Sequence, residues 1–385
     1  MKTATGLDGI GSLRLTLYVA FELSKSTWQM AMAVGLGQKP RRVVVSGGDS
    51  GKVLEEIGKA KRRLGLTREA RVVSCYEAGR DGFWLHRLLE GAGVESLVVD
   101  AGSLRRRSGK RHRKTDRLDV LTLLGDLMRW DGGDRSIWSV VRVPSAATED
   151  LRRLDRERKT LVKERTAHHN RIRGLLVSQG VVLTSWRELV REGPSSLRTW
   201  AGGALGEQLS AQITRELQRL QLIEEQLKQL RARCQTLLGE RPESHARALE
   251  VVARLEQLRS IGEASSWTLA TELYWRDFRN RKQVGGYVGL GGTPYASGEM
   301  DRDLGIGKDG PSRLRATLVE LAWSWVRFQP ESKITLWFQS HFGPQTKRSR
   351  RRGIVAVARK LAVALWRYLT YGEIPEGAQL KPSAA

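Results

Sequence analysis

Four carboxylates in the first third of the chain have the type and placement that a metal-assisted reaction at phosphate esters requires. Glu22 follows the apolar run LTLYVAF, Glu77 follows VVSCY, and Asp116 and Asp119 lie three apart in KTDRLD. Mg2+ takes hard oxygen ligands from several elements around one cleft and keeps waters and substrate phosphate oxygens in the rest of its octahedron. A lone Glu or Asp at the end of an apolar run is ordinarily a solvated cap, and among 42 acidic residues some fall there by chance. The four together are the stronger signal. A candidate nucleophile lies far downstream. Ser297 sits in YVGLGGTPYASGEMDRDLGIGKDGPSRLR with Tyr295 and Lys308, where the glycines predict a polar loop. A serine there either shapes a turn or attacks a substrate, and both readings stand at this point. Arg313 and Arg315, on a helix expected from Ser312, either grip phosphate or are ordinary helix surface. Two tempting motifs in this region fail. GIGKD lacks the Ser or Thr that follows Lys in a P-loop, and GYVGLGG lacks the spacing and strand–helix context of a dinucleotide fingerprint.

The elements that must position the acids are legible in the pattern. Leu15–Phe21, Trp28–Val34 and Arg41–Ser46 are short runs rich in β-branched or aromatic residues, and they predict three strands of an antiparallel meander. Asp49 is placed to cap a helix through Leu64; a strand Val72–Cys75, a helix Asp81–Glu90, a strand Ser96–Val99 and a helix from Thr115 follow. The order βββαβαβα is that of an RNase H-like sheet. In that fold Glu22 and Glu77 end neighbouring strands, while Asp116 and Asp119 share one face of the last helix.

Charge points to the same chemistry. Lys and Arg number 66 against 42 acids, a net charge of +24, and a field of that sign attracts polyanions. The excess is clustered. Arg105, Arg106, Arg107, Lys110, Arg111, Arg113 and Lys114 immediately precede the Asp pair, and Lys347, Arg348, Arg350, Arg351 and Arg352 form a second run. Nucleic acid is the expected partner; a solvated flexible loop or a localisation signal is the plainer account of either run.

Cys75 and Cys234 offer neither a disulfide framework nor a CxxC zinc pattern, which suits a reducing compartment. No apolar leader opens the chain, and the most apolar late helix, Ile354–Leu369, is interrupted by Arg359, Lys360 and Arg367. A cytoplasmic protein is expected. Between residues 148 and 178, Leu154, Leu161, His168 and Leu175 recur every seven positions beside Leu151 and Ile172. Ile213, Leu220, Leu227 and Cys234 repeat that spacing with Ile223, Leu230 and Leu237. Two long helices are expected, packed as an antiparallel hairpin or paired between subunits. His168 and His169 lack nearby Cys or a spaced His and are read as polar helix-face residues rather than ligands. The expected organisation is an α/β RNase H-like domain at 13–145, a helical coiled-coil region at 146–257, a mainly α domain at 258–372 and a tail at 373–385.

Six segments, AFELSKSTWQ, YEAGRDGFWLHRLL, KTDRLDVLTLL, LRSIGEASSWTLATEL, YVGLGGTPYASGE and GKDGPSRLRATLVELAW, occur in an order that resembles the DEDD-type transposases of the insertion-sequence 110 family, relatives of the Piv-type DNA invertases. The resemblance runs from about Leu15 to Tyr371. It implies a RuvC-like domain, a coiled-coil insertion and a C-terminal transposase domain with a nucleophilic serine. The family's acidic tetrad falls on Glu22, Glu77, Asp116 and Asp119, and its serine on Ser297. The first acid is usually Asp; Glu22 is one methylene longer, which moves a ligated ion by roughly a bond length. The resemblance further implies a structured bridge RNA that pairs with target and donor DNA, Mg2+ as cofactor, and a dimer that becomes a tetramer on DNA, in which acids of one subunit meet the serine of another. The expected activity is RNA-guided recombination through a phosphoserine link. A RuvC-like junction nuclease would cut without a protein–DNA adduct, and a basic structural RNA-binding protein would need neither the acids nor Ser297.

Overall fold

The alternation in LYVAFEL and TWQMAMA sorts side chains by size, because successive residues of a strand point to opposite faces. In β1 (Leu17–Leu23) and β2 (Thr27–Ala33), Leu17, Val19, Phe21, Trp28, Met30 and Met32 share one face, whereas Ala20, Ala31 and Ala33 share the other. β3 (Arg41–Ser46) extends the meander, and Asp49 caps α1 (Ser50–Arg63) by accepting from Lys52 N at 2.9 Å. β4 (Val72–Glu77), α2 (Trp84–Gly91), β5 (Glu95–Val99), α3 (Ala101–Arg107) and α4 (Asp116–Asp131) follow. The structure is a computed structural model that describes residues 15–107, 116–297, 300–306 and 310–382.

The five strands form one sheet in the order β3-β2-β1-β4-β5. β1, β2 and β3 are antiparallel neighbours, and β4 and β5 run parallel to β1. α1 and α2 cover the large-residue face through Val53, Ile57, Leu85 and Leu89; α4 covers the small-residue face through Val120, Leu123, Leu124 and Leu127. This mixed sheet fits the expected RNase H-like architecture. Strand ends shift slightly from the sequence expectation, so that Glu22 and Glu77 lie inside β1 and β4, and two helices differ from it. The second helix starts at Trp84 rather than Asp81, because Gly82 turns the chain at φ +68°. An unanticipated α3 follows Asp100, whose carboxylate accepts from Ser103 N at 3.2 Å.

A second compact unit begins at Pro144. It contains α5 (Ala146–Val177), α6 (Trp186–Glu192), α7 (Glu207–Glu240), α8 (Ala246–Glu256), α9 (Glu263–Glu272) and α10 (Arg281–Tyr287). Next come β6 (Gly292–Ser297), β7 (Met300–Ile306), α11 (Ser312–Phe328), α12 (Lys333–Phe342) and α13 (Lys347–Tyr371). α5 and α7 lie antiparallel: Leu151 packs with Cys234 and Leu237, and at the other end Ile172 and Leu176 pack with Ile213 and Leu217. His168 is no isolated helix-face residue. Its Nδ1 lies 2.5 Å from Glu216 Oε2, and the buried Glu216 carboxylate also accepts from Arg171 (2.7 Å) and Arg219 (2.5 Å). A separate polar set keys α5 to α9: Arg152 Nε donates to the Thr271 carbonyl at 2.8 Å, and the buried Asp155 accepts from Thr268 Oγ1 at 3.0 Å.

The polar loop expected around Ser297 is instead an antiparallel pair, β6 with β7, in which Tyr295 faces Arg302 and Ser297 faces Met300. The glycines and Pro294 disguise the pairing in the sequence. A two-stranded ribbon leaves one edge of each strand free, so a residue without an N–H is tolerated, and the register shifts between Gly292 and Pro294. No helix among the described residues is long and apolar enough to cross a membrane.

The far end of α4 is tied down by Asp131, which accepts from Tyr18 (2.9 Å) and Arg71 (2.7 Å) while Arg71 also holds Glu95. Hydrogen bonding from the Arg71 guanidinium holds the Asp131 carboxyl below the usual aspartate range. A depressed folded-state pKa contributes stability that is complete above the unfolded value, about 3.9, and is lost as pH falls through the lower folded value. Asp131→Asn should therefore lower stability by about 1 kcal/mol at neutral pH, a modest cost because Arg71 is well solvated. Thermal melts of the full chain should show the difference from wild type closing below about pH 4; an equal gap at all pH values would remove Asp131 from the clamp.

Candidate functional site

The position of the first two acids follows from strand pairing. β1 and β4 pair in parallel up to Phe21 opposite Tyr76, so Glu22 and Glu77 come next in register at the same end of the sheet. Neighbouring strands lie about 4.8 Å apart, close enough for two carboxylates on one face to share a cation. Both belong to the small-residue face, alternating with Ala20 and Cys75 under α4. Glu22 is half-buried and Glu77 exposed.

The slide of α4 along that face is set at two points. Asp131 is bonded to Arg71 just before β4, and the Cys75 thiol donates to the Leu123 carbonyl at 3.8 Å. The helix thus runs opposite to β1 and β4. From Asp131 back to Asp119 it covers about 18 Å at 1.5 Å per residue. From Arg71 forward to Glu77 the strand covers about 20 Å at 3.3 Å per residue. The first turn of α4, which carries Asp116 and Asp119, therefore reaches the end of the sheet where Glu22 and Glu77 stand. Glu22 and Glu77 are hard oxygen donors in adjacent register, a pair that suits a divalent cation. Among the described side chains, no group of three or more His, Cys, Asp or Glu residues converges. Burial pushes the Cys75 thiol up, which leaves it a packing residue rather than a ligand.

Tyr18, Arg71 and Asp131 are positioning residues that sequence reasoning missed. Tyr18 and Asp131 stand 113 positions apart, and no local pattern connects them.

Ser297 belongs to the second unit, at the end of β6. The ribbon leads through Gly310 into α11. A Cβ on Gly310 would lie 2.2 Å from the Tyr287 carbonyl, so only glycine permits this close passage beside α10. Arg315 donates to the Gly310 carbonyl and so serves the backbone, whereas Arg313 is exposed on the first turn of α11. Lys308 lies outside the described residues. Of the first basic run, Arg105, Arg106 and Arg107 end α3, and Lys110, Arg111, Arg113 and Lys114 lie outside the described residues. The second run, Lys347 to Arg352, forms the first turns of α13 after the Thr346 cap, and its five cations are exposed.

Comparison with known proteins agrees with this architecture. A profile of DEDD transposases of the IS110 type, described as "Transposase", matches residues 50–179, a range that includes Glu77, Asp116 and Asp119. A second, described as "Transposase IS116/IS110/IS902 family", matches residues 252–335, which include Ser297. A Sinorhizobium fredii protein named "Putative transposase y4rJ" is 38% identical over 377 residues, 95% of this chain and 94% of that protein. The "Transposase for insertion sequence element IS1111A" of Coxiella burnetii is 26% identical over 75% of each chain. The chain belongs to the IS116/IS110/IS902 family of transposases, enzymes that cut and rejoin DNA. Its DEDD type suggests a divalent metal.

The low seat of α4 depends on the alanine floor. Ala20→Leu should force the helix away from β1, cost about 1–3 kcal/mol in a thermal or denaturant melt, and reduce transposition out of proportion to that loss. Unchanged stability would mean that the floor has room to spare and does not set the height of α4.

Proposed function

We propose that this transposase is an RNA-guided DNA recombinase that moves an insertion sequence through a covalent phosphoserine link. The reading rests on one observation above all: Glu22 and Glu77 occupy adjacent register positions at the end of the sheet toward which the first turn of α4 points. Glu22, Glu77, Asp116 and Asp119 would hold Mg2+, which when bound supplies Lewis-acid stabilisation of charge on the phosphoryl oxygens. Ser297 Oγ bonds to the phosphorus of a DNA phosphodiester while the bond to one sugar oxygen breaks. The serine proton leaves to solvent, and the freed sugar oxygen takes one up. A sugar hydroxyl of the exchanging strand then attacks the phosphoserine and releases Ser297, so phosphodiester energy is kept rather than lost to hydrolysis. The mainly α region 258–372, which includes the ribbon and Ser297, serves as the transposase domain, and α5 with α7 as the coiled coil through which a homodimer, and a tetramer on DNA, assembles.

A bridge RNA supplies sequence choice by pairing with target and donor DNA, and the protein reads shape and phosphate. The net charge of +24 supports this division of labour. So does the second basic run: five cations at the start of α13 face the positive end of the helix dipole, an arrangement that a bound polyanion relieves. Lys308, Arg313 and Arg315 are assigned weaker phosphate contacts. The enzyme acts in the cytoplasm on nucleoid DNA.

Stalled reactions on nicked DNA should contain protein covalently joined to DNA. Ser297→Ala should lose the adduct and recombination together while still assembling on RNA, and Asp116→Ala should abolish recombination with RNA affinity intact. Glu22→Asp should keep part of the activity and Glu22→Gln lose most of it. Cutting without any trapped adduct in wild type would establish the junction-nuclease reading instead.

Neutralising Arg105 to Lys114 should flatten the salt dependence of RNA binding, because each phosphate contact releases about 0.7 to 0.9 counterion equivalents. Titrations across a salt series measure this directly. An unchanged slope would mean the run touches no phosphate, and integration that ignores a rewritten RNA pairing loop would refute guidance.

A further inference from the structure

We infer that the groove bounded by α10, α12, α13 and residues 373–376 is a binding site for an unpaired nucleic-acid strand. It is separate from Ser297, which ends β6 about five strand residues, or roughly 17 Å, from the Gly292 end of the ribbon that adjoins the groove. The groove encloses about 1430 Å³, beyond the usual range of small-molecule pockets, and is open along one side.

Its charge is asymmetric. Seven Lys or Arg side chains line it. At one rim Arg367 is paired with Glu373 at 2.5 Å and Lys333 with Glu376 at 2.8 Å. The other five, Arg281, Lys282, Arg352, Arg359 and Lys360, have no acidic partner among the described residues. Arg352 and Arg359 stand two turns apart on one face of α13, about 10 Å along its axis. Arg359 is also seated rather than adrift: its guanidinium lies against Gly285 of α10, where a Cβ would come within 3.0 Å of Nε. Five cations unpaired among the described residues, distributed around a groove of this size, match a chain of phosphates better than a single small anion.

The floor is apolar and carries an aromatic platform. Ile334, Val355 and Val363 line it together with Trp337, which is half-buried with the Lys360 ammonium 4.2 Å from its ring centre. A duplex hides its base faces and offers only phosphate to such a floor, whereas an unpaired strand can lay bases on the aliphatic groups and, once Lys360 swings from the Trp337 ring to a phosphate, on Trp337 as well. Single-stranded DNA and single-stranded RNA share this chemistry.

The test uses the full-length protein and fluorescence anisotropy with labelled oligothymidine, oligouridine and a duplex of equal length. Wild type should bind at least one single strand more tightly than the duplex, and the better of oligothymidine and oligouridine identifies the occupant. The double variant Arg352→Gln/Arg359→Gln should weaken that binding about tenfold and lower the salt slope by about 1.4, two contacts at about 0.7 each. Arg62→Gln/Arg63→Gln, an equal charge change at exposed positions of α1, should weaken it less than about twofold if local contact rather than net field is responsible. Circular dichroism melts confirm that each variant is folded. Equal losses in the two double variants, preference for duplex, or equally tight binding of polyglutamate through the same arginines would each overturn the inference.

Discussion

Parallel pairing of β1 with β4 in the centre of the sheet is the constraint on which the first unit depends. Each strand is flanked on both sides by another, so its backbone polar groups are satisfied and its register cannot slip without exposing one face of the core. That register leaves Glu22 and Glu77 side by side at one end. A slip by one residue would send Glu22 to the face packed on α1 and α2, where it would be buried among Trp28, Tyr76 and Leu85. The difference in side-chain size between the two faces completes the arrangement, since alanines beneath α4 let a helix settle where larger residues would hold it off.

The α5–α7 pair relies on buried charge where the sheet of the first unit relies on apolar alternation. The α5 and α7 pair has only modest apolar seams at its two ends, and Glu216 sits beside one of them, fully occupied by His168, Arg171 and Arg219. Such a buried carboxylate tolerates only the alignment that supplies all its donors, so it selects one pairing of the helices more than it adds stability. Arg152 acts similarly where α5 meets α9, since the Thr271 carbonyl it bonds lies on the neighbouring helix; Asp155 adds Thr268 of α9 to the Arg158 and Lys159 partners on its own helix.

The excess positive charge is distributed by function of place. Cations near acids become structural pairs, as with Arg156 and Glu272 at 2.7 Å or Arg71 and Glu95 at 2.7 Å. Those on the outer turns of α13, and five of the seven along the adjoining groove, have no such neighbours among the described residues, so their field extends outward. A helix that begins with five cations must be held by its later residues, and Ile354, Val357, Leu361 and Leu365 bury it against α11.

Local periodicity made much of this legible before any coordinates. The period-2 runs of β1 to β5, the Asp49 cap and the seven-residue spacing of α5 and α7 are written in neighbouring residues, because a strand or helix repeats within a few positions. It was equally legible that Glu22 and Glu77 each follow an apolar run, and that the basic residues cluster. Local pattern did not extend to the β6–β7 ribbon, where glycine and proline mask alternation, or to α3, which rests on one capping contact from Asp100. Nor did it show the slide of α4 or the groove beside α13, and it left the helix pair open between an antiparallel hairpin and a pairing between subunits. Each of those is decided by contacts between residues far apart in the chain, such as Tyr18 with Asp131 or Glu216 with His168, and a contact that closes a long loop leaves no repeat for the sequence to display.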